Sequence, residues 1–317
     1  MSKRSKSNVN ARERLASLFM PRTQIKAVKK MLRSFALSQG WWLEQTVSNE
    51  ELLGLISRLS PAQAKPEMRR IGPAKDGGYL LPDDLGGIGA LISPGVAQEC
   101  GFDFEIAEMG IPVYLLDGSI SKPPREHDNF HFFPLFLDAF TSEHTVTITD
   151  VCDDVTPGLD LLLQMDIEGA EYRVLKTATE QLLSRFRIMV IEFHFLDYLF
   201  TKYAFKELDP LFSKLLRTHR VVHIHPNNIE RGTTRGVVSI PSTMEFTFYR
   251  NDRGPFSEGA CSYPHPLDAD NHPHMPSLIL PKCWMGGTPL SSRSVTTRLT
   301  NRSLVRGIHE KTHADDT

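Results

Sequence analysis

The stretch Leu161–Glu171, reading LLLQMDIEGAE, governs how the rest of the chain is read. An apolar run from Leu159 to Met165 stops abruptly at Asp166. A short apolar run of this kind is expected to be a buried strand, and Asp166 then sits at the lip of a sheet. A carboxylate there is costly to desolvate unless it meets a partner or a ligand. Glu168 and Glu171 follow within five residues, more acid than a helix cap requires. Asp166 is therefore the first candidate site residue.

Working outward, strands and helices alternate from Ile71 to Arg250. Strands are expected at Ala90–Ser93, Val113–Leu116, Phe130–Phe133, Ile188–Phe193, Val221–His225 and Glu245–Tyr249. Helices are expected over Phe102–Met109, Ala170–Ala178, Gln181–Phe186 and Tyr198–Thr218. Strands separated by helices build βαβ units and a mostly parallel sheet with right-handed crossovers. The last strand has only the turn-like stretch Asn227–Thr243 before it, so it is expected to run antiparallel. The fold class is α/β: a doubly wound, mostly parallel sheet with an antiparallel last strand. Ahead of it, Ser48 and Glu51 form a capping box for a helix over Asn49–Leu59.

In such a sheet ligands bind at the carboxyl ends of the strands, near the switch in strand order. Four places fit. Ser93-Pro94-Gly95 ends the first strand, with Glu99 and Asp103 close behind. Asp117 ends the next, 22 residues after Gly95. An acid about 20 residues past the first glycine turn can accept the ribose hydroxyls of a nucleoside. Asp166 is the third. Glu192 and His194 share a strand face, and His223 and His225 repeat the spacing on the following strand. A histidine titrates near neutrality and can take a proton from a hydroxyl.

The net charge of −2 hides an asymmetry: residues 1–33 hold ten Lys/Arg and one acid, a net of +9, which leaves −11 for the rest. By charge the body is not a nucleic-acid binder. Residues 1–40 read as a basic arm, partly helical, with apolar residues at Ile25, Val28, Met31, Leu32 and Phe35. Such a helix suits either packing on the domain or peripheral contact with an anionic membrane. Residues 41–255 read as the main domain, and 256–317 as an irregular, largely flexible tail. Four scattered cysteines without a C-x-x-C pair, no 18-residue apolar run and no secretory signal make the cytoplasm the expected compartment.

These motifs resemble those of the FkbM-type methyltransferases, from about Arg70 to Arg250. The stretch Met165–Glu171 is the most specific element, joined by Asp76-Gly77-Gly78-Tyr79, the loop Ser93–Glu105, the strand Val113–Asp117, Ile191–His194 and His223–Asn228. The resemblance implies a class I, Rossmann-like methyltransferase that uses S-adenosylmethionine. It implies cofactor contacts from Ser93, Gly95, Glu99, Asp117, Asp166 and Glu168. Gly95 would lie under the cofactor, Asp117 on the ribose, and Asp166 at the methionine end or the acceptor. The usual G-x-G is altered, because Val96-Ala97 follows Gly95.

The expected acceptor is a hydroxyl on a glycan or small metabolite. His194 is the first candidate base, His225 the second, with Asp166 beside them. The set Asp166, Glu192, His194 and His225 also suits a divalent cation. A non-catalytic module that binds a sugar or nucleotide is the alternative class. A nicotinamide-dependent dehydrogenase ranks last, since a full G-x-G-x-x-G is missing.

Overall fold

The computed structural model describes residues 22–153, 155, 158–257 and 263–285. The polar start of the arm, Cys261 and the Ser/Thr/Arg-rich stretch 286–317 lie outside them. All described residues fall in one compact unit, Met1–Gly287.

Helices α1 (Arg22–Ser38) and α2 (Asn49–Leu59) precede a hairpin of β1 (Met68–Ile71) and β2 (Tyr79–Pro82). Then come β3 (Ile88–Pro94), α3 (Gly101–Glu108), β4 (Val113–Leu116), β5 (Phe130–Phe133), the short pair β6 (Phe136–Leu137) and β7 (Thr145–Val146), and α4 (Ile148–Asp153). The second half holds β8 (Asp160–Met165), α5 (Glu171–Thr177), α6 (Glu180–Leu183), β9 (Phe186–Phe193), α7 (Lys202–Thr218), β10 (His219–Pro226), β11 (Thr233–Arg235), β12 (Val238–Ile240) and β13 (Met244–Arg250).

The main sheet has seven strands in the order β10-β13-β9-β8-β3-β4-β5. The pairs β9–β8, β8–β3, β3–β4 and β4–β5 are parallel. Strand β13 runs antiparallel to both β9 and β10. The expected doubly wound sheet is therefore present. From β3 the chain moves outward to β4 and β5, then returns to the other side of β3 with β8. That reversal is the switch point, and it lies between Gly95 and Asp166.

Strands β8 and β9 are covered on both faces, which is why they read as nearly continuous apolar runs. Leu161, Leu163, Met189 and Ile191 pack into one hydrophobic layer, and Leu162, Ile188 and Val190 into the other. Each such side chain contributes roughly 1.5–3 kcal/mol by leaving water. Two polar exceptions, Gln164 and Arg187, are paired. Gln164 accepts from the Ser93 hydroxyl (2.7 Å) and faces the Tyr79 hydroxyl (3.3 Å). Arg187 donates to Asp160 (2.8 Å) and to the Gly86 carbonyl (2.7 Å).

Three local expectations differ from the structure. Helix α7 starts at Lys202 rather than Tyr198, because the Thr201 hydroxyl accepts the Ala204 amide (3.2 Å) and Leu196–Phe200 forms a separate 3-10 turn. The turn-like stretch before β13 contains the hairpin β11–β12. Residues 263–285, part of the stretch 256–317 read as an irregular, largely flexible tail, are irregular and carry buried anchors. Trp284 is fully buried and donates Nε1–H to the Ser239 carbonyl (3.0 Å), and Leu280 and Asn271 are buried too. Anchors so far apart leave no periodicity to read.

Candidate active site

Among the described residues, three non-glycine residues have left-handed backbone: Ala97 (φ 45°), Glu168 (φ 56°) and Phe195 (φ 54°). They lie just past the carboxyl ends of β3, β8 and β9. Such conformations cost of order 1–3 kcal/mol and persist where surrounding structure fixes them. Their shared position marks this edge of the sheet as the built one.

Gly95 explains how tightly the edge is built. Its φ is +92°, and a Cβ there would stand 1.6 Å from the Asp166 carbonyl oxygen. The Asp166 amide in turn donates to the Pro94 carbonyl (3.2 Å). The observed reason for glycine is this crossing of two strand ends.

The remaining predicted cofactor residues divide. Asp117 accepts the Ala97 amide (2.7 Å), the Ser119 amide (2.7 Å) and the Ser119 hydroxyl (2.6 Å). Burial works against its ionisation, but these bonds outweigh burial and hold its carboxyl below the ordinary value. Ser93 is fully buried and donates its hydroxyl to Gln164 (2.7 Å). Glu99 pairs with Lys75 (3.0 Å) and caps the Gly101 amide (3.0 Å), so it ties down the loop between β1 and β2. Sequence reasoning could not see either partnership, because both partners are set by tertiary contact. Glu168 is exposed, with a carboxylate oxygen 3.5 Å from His194 Nε2.

His194 is the centre of the cluster. Its Nδ1 lies 3.2 Å from Glu171 Oε1, and its Nε2 lies 3.7 Å from both Asp166 Oδ1 and Glu192 Oε1. Glu171 is fully buried, and the same Oε1 accepts the Ile167 (3.0 Å) and Gly169 (3.1 Å) amides. Glu171 therefore fixes the imidazole and leaves Nε2 facing Asp166 and Glu192. Burial alone would lower the His194 pKa, but Glu171, Asp166 and Glu168 reverse this and raise it. Burial, added to Glu168 and Glu171 and offset in part by His194, pushes Asp166 up to about 7. Glu192 is also raised, first by burial and then by Asp166 and Glu245. Asp166 Oδ1 and Glu192 Oε2 are buried without a hydrogen-bond partner. One ligand atom from each of Asp166, Glu192 and His194 falls within 4.8 Å of the others.

His225 does not join this cluster, contrary to the expectation of neighbouring histidine pairs. Strand β13 inserts between β9 and β10, so Glu192 faces Glu245, and Glu245 faces His225. Two strand spacings put His225 roughly 10 Å from the β9 position. Its Nδ1 instead lies 3.7 Å from Asp268, whose other oxygen is 3.0 Å from His223 Nε2. Burial opposes a charged Asp268, but the two histidines hold its carboxyl far below the usual range. Asn271 bridges Glu245 (2.8 Å) and Asp76 (3.1 Å). Glu245, Asp268 and Asn271 were not singled out as site residues. The alternation His223/His225 could have pointed to Glu245 across the sheet, but nothing local marks Asp268 or Asn271.

The strand order and the antiparallel insertion of β13 define a doubly wound, Rossmann-like α/β fold with a carboxylate–histidine edge. Residues 121–219 match the family model described as the methyltransferase FkbM domain. The match covers a shorter span than the resemblance from Arg70 to Arg250. The span includes Met165–Glu171 and Ile191–His194; it leaves out the loop after β3, Asp117, and His223 and His225. The solved structures similar to this chain include two of low identity. One is a chain of a fibrillarin/Nop5p complex, 11% identical, with 52% of this chain and 73% of that chain covered and a TM-score of 0.32. The other is described as a methyltransferase of an antibiotic biosynthesis pathway from Anabaena variabilis, 13% identical, with 45% of this chain covered and a TM-score of 0.23. This chain spans 60% of the Anabaena protein's length. No curated protein matches the chain.

Proposed function

We propose that the protein is an S-adenosylmethionine-dependent O-methyltransferase whose acceptor is a hydroxyl on a glycan or a small metabolite. The observation that carries this reading is the clamped His194 past the end of β9, beside the switch point, with Nδ1 on Glu171 and Nε2 turned to Asp166. When bound, the cofactor supplies an electrophilic methyl group. Asp117 would hold the ribose, since a carboxylate has about four acceptor positions and three of Asp117's are engaged. Asp166 would orient the acceptor, and His194 Nε2 would receive the hydroxyl proton. Such a base adds roughly 10²–10⁴-fold, and alignment of the acceptor ~7–11 kcal/mol. Because neighbouring carboxylates raise the His194 pKa, the base form grows as pH rises above the ordinary histidine range.

Thermal unfolding with S-adenosylmethionine and with S-adenosylhomocysteine tests the cofactor. Binding at 100 times Kd adds about 2.7 kcal/mol of stability. No shift with either would sink the reading and favour a non-catalytic module for a sugar or nucleotide. A cytoplasmic site of action goes with this proposal: Cys100, Cys152 and Cys283 are free thiols. Among the described residues no helix is long and apolar enough to cross a membrane.

A second reading rests on the unpartnered oxygens of Asp166 and Glu192. With His194 Nε2 they would hold a divalent cation that suits mixed oxygen and imidazole ligands, and Glu171 would orient the imidazole from behind. His194 is then a ligand rather than the base. Turnover that survives exhaustive chelation rejects this reading and keeps the first.

A further inference from the structure

Among the described residues, helix α1 and the turn after it leave an apolar surface uncovered. Met31, Leu32, Phe35, Leu37, Trp41, Trp42 and Leu43 are all exposed, Trp42 by 78% and Trp41 by 71%. Tryptophan is rarely left this open on a soluble face, and here two stand side by side. At about 100° per residue, Ile25, Val28, Met31, Leu32 and Phe35 fall within an arc of roughly 120°. Lys26, Lys29, Lys30 and Arg33 fall on the opposite side of the helix.

We propose that α1 and the Trp41-Trp42 turn form a docking surface for an anionic phospholipid membrane. Charge decides the occupant. A lysine-rich polar face beside a large apolar face is the pattern of a helix that lies in the headgroup plane. The indole pair has the amphipathic shape favoured at that depth. A second copy of this chain would bring its own lysines to the same place, and residues 1–21 are themselves basic.

The surface is tied to the candidate site. Gln45 accepts the Lys202 amide through its carbonyl (2.9 Å) and Lys202 Nζ through its side chain (3.1 Å), and Glu44 accepts the Tyr203 amide (2.7 Å). Helix α7 starts there, eight residues past His194, with Tyr198 and Tyr203 exposed beside it. A membrane under α1 would bring acceptors from its surface to this edge of the sheet.

The test is co-sedimentation of the full chain with vesicles of phosphatidylcholine alone and of phosphatidylcholine with phosphatidylserine. Binding should require phosphatidylserine and weaken with salt, and the tryptophan emission should shift to the blue. The pairs Trp41→Ser/Trp42→Ser and Lys29→Glu/Lys30→Glu should each lower partitioning by more than about tenfold. Both pairs are exposed, and unchanged melting temperatures would show the fold intact. Equal binding to both vesicles, no binding, or variants that bind normally would overturn the proposal. So would a chain lacking residues 1–21 that no longer binds, or a concentration-dependent dimer abolished by the tryptophan pair.

Discussion

Replacing Glu171 by Gln isolates what a buried carboxylate does for His194. Glutamine keeps an acceptor oxygen for the Ile167 and Gly169 amides, now 3.0 and 3.1 Å away, so the turn after β8 should survive. What disappears is a negative charge 3.2 Å from His194 Nδ1. An opposite charge at such a distance moves a pKa by roughly 1–3 units. The imidazole of E171Q should therefore titrate about 1–3 units lower than in the parent. At about 1.4 kcal/mol per unit, this is roughly 1.4–4 kcal/mol of lost preference for the charged ring. Nitrogen-15 NMR of histidine-labelled, chelator-treated protein reads this directly, with the His194 signal identified by its loss in His194→Ala. The acid limb of the methyl-transfer rate should move down by the same amount. A His194 pKa that stays within a few tenths of a unit would refute the assignment of Glu171 as positioning residue.

Gly95→Ala forces a Cβ into the Asp166 carbonyl; a stability loss of about 3 kcal/mol or more and a melting temperature roughly 5–10 °C lower are expected by calorimetry. His219 is buried, with Nε2 2.9 Å from the Phe186 carbonyl, and burial lowers its pKa to about 4. Its folded pKa is depressed, so the unfolded chain binds the extra proton. Stability is full above about pH 6.5 and falls by up to roughly 3 kcal/mol as pH drops toward 4, and urea titrations should show His219→Gln flattening that slope. Trp284→Ala should cost about 3–5 kcal/mol and speed hydrogen exchange at Asn271 and Asp268, a result that a dispensable tail would not give.

The parallel sheet was legible because its central strands are buried on both faces and end in punctuation: Pro94-Gly95, Asp117-Gly118, Asp166. The hairpin β1–β2 was less so, since four-residue strands that flank a Gly-rich turn carry little periodicity. At the site, Asp166, Glu192 and His194 could be named because each ends a strand. The fate of Ser93 and Glu99 could not, because Gln164 and Lys75 are partners chosen by the fold. The separation of His194 from His225 depends on where β13 goes. A strand's pattern records its faces and says nothing of which gap in the sheet it fills.

That gap has a kinetic meaning. While the chain is being synthesised, β9 and β10 are complete before β13 exists. Until residues 244–250 emerge, β9 lacks the neighbour that sets Glu245 opposite Glu192. An unpaired, largely apolar strand is a template for wrong pairing. The final strand thus acts as a closing wedge: its arrival both seals the edge against aggregation and shuts the buried row of acids. A nascent chain stalled before Met244 should depend on chaperones in a way that one stalled after Arg250 does not.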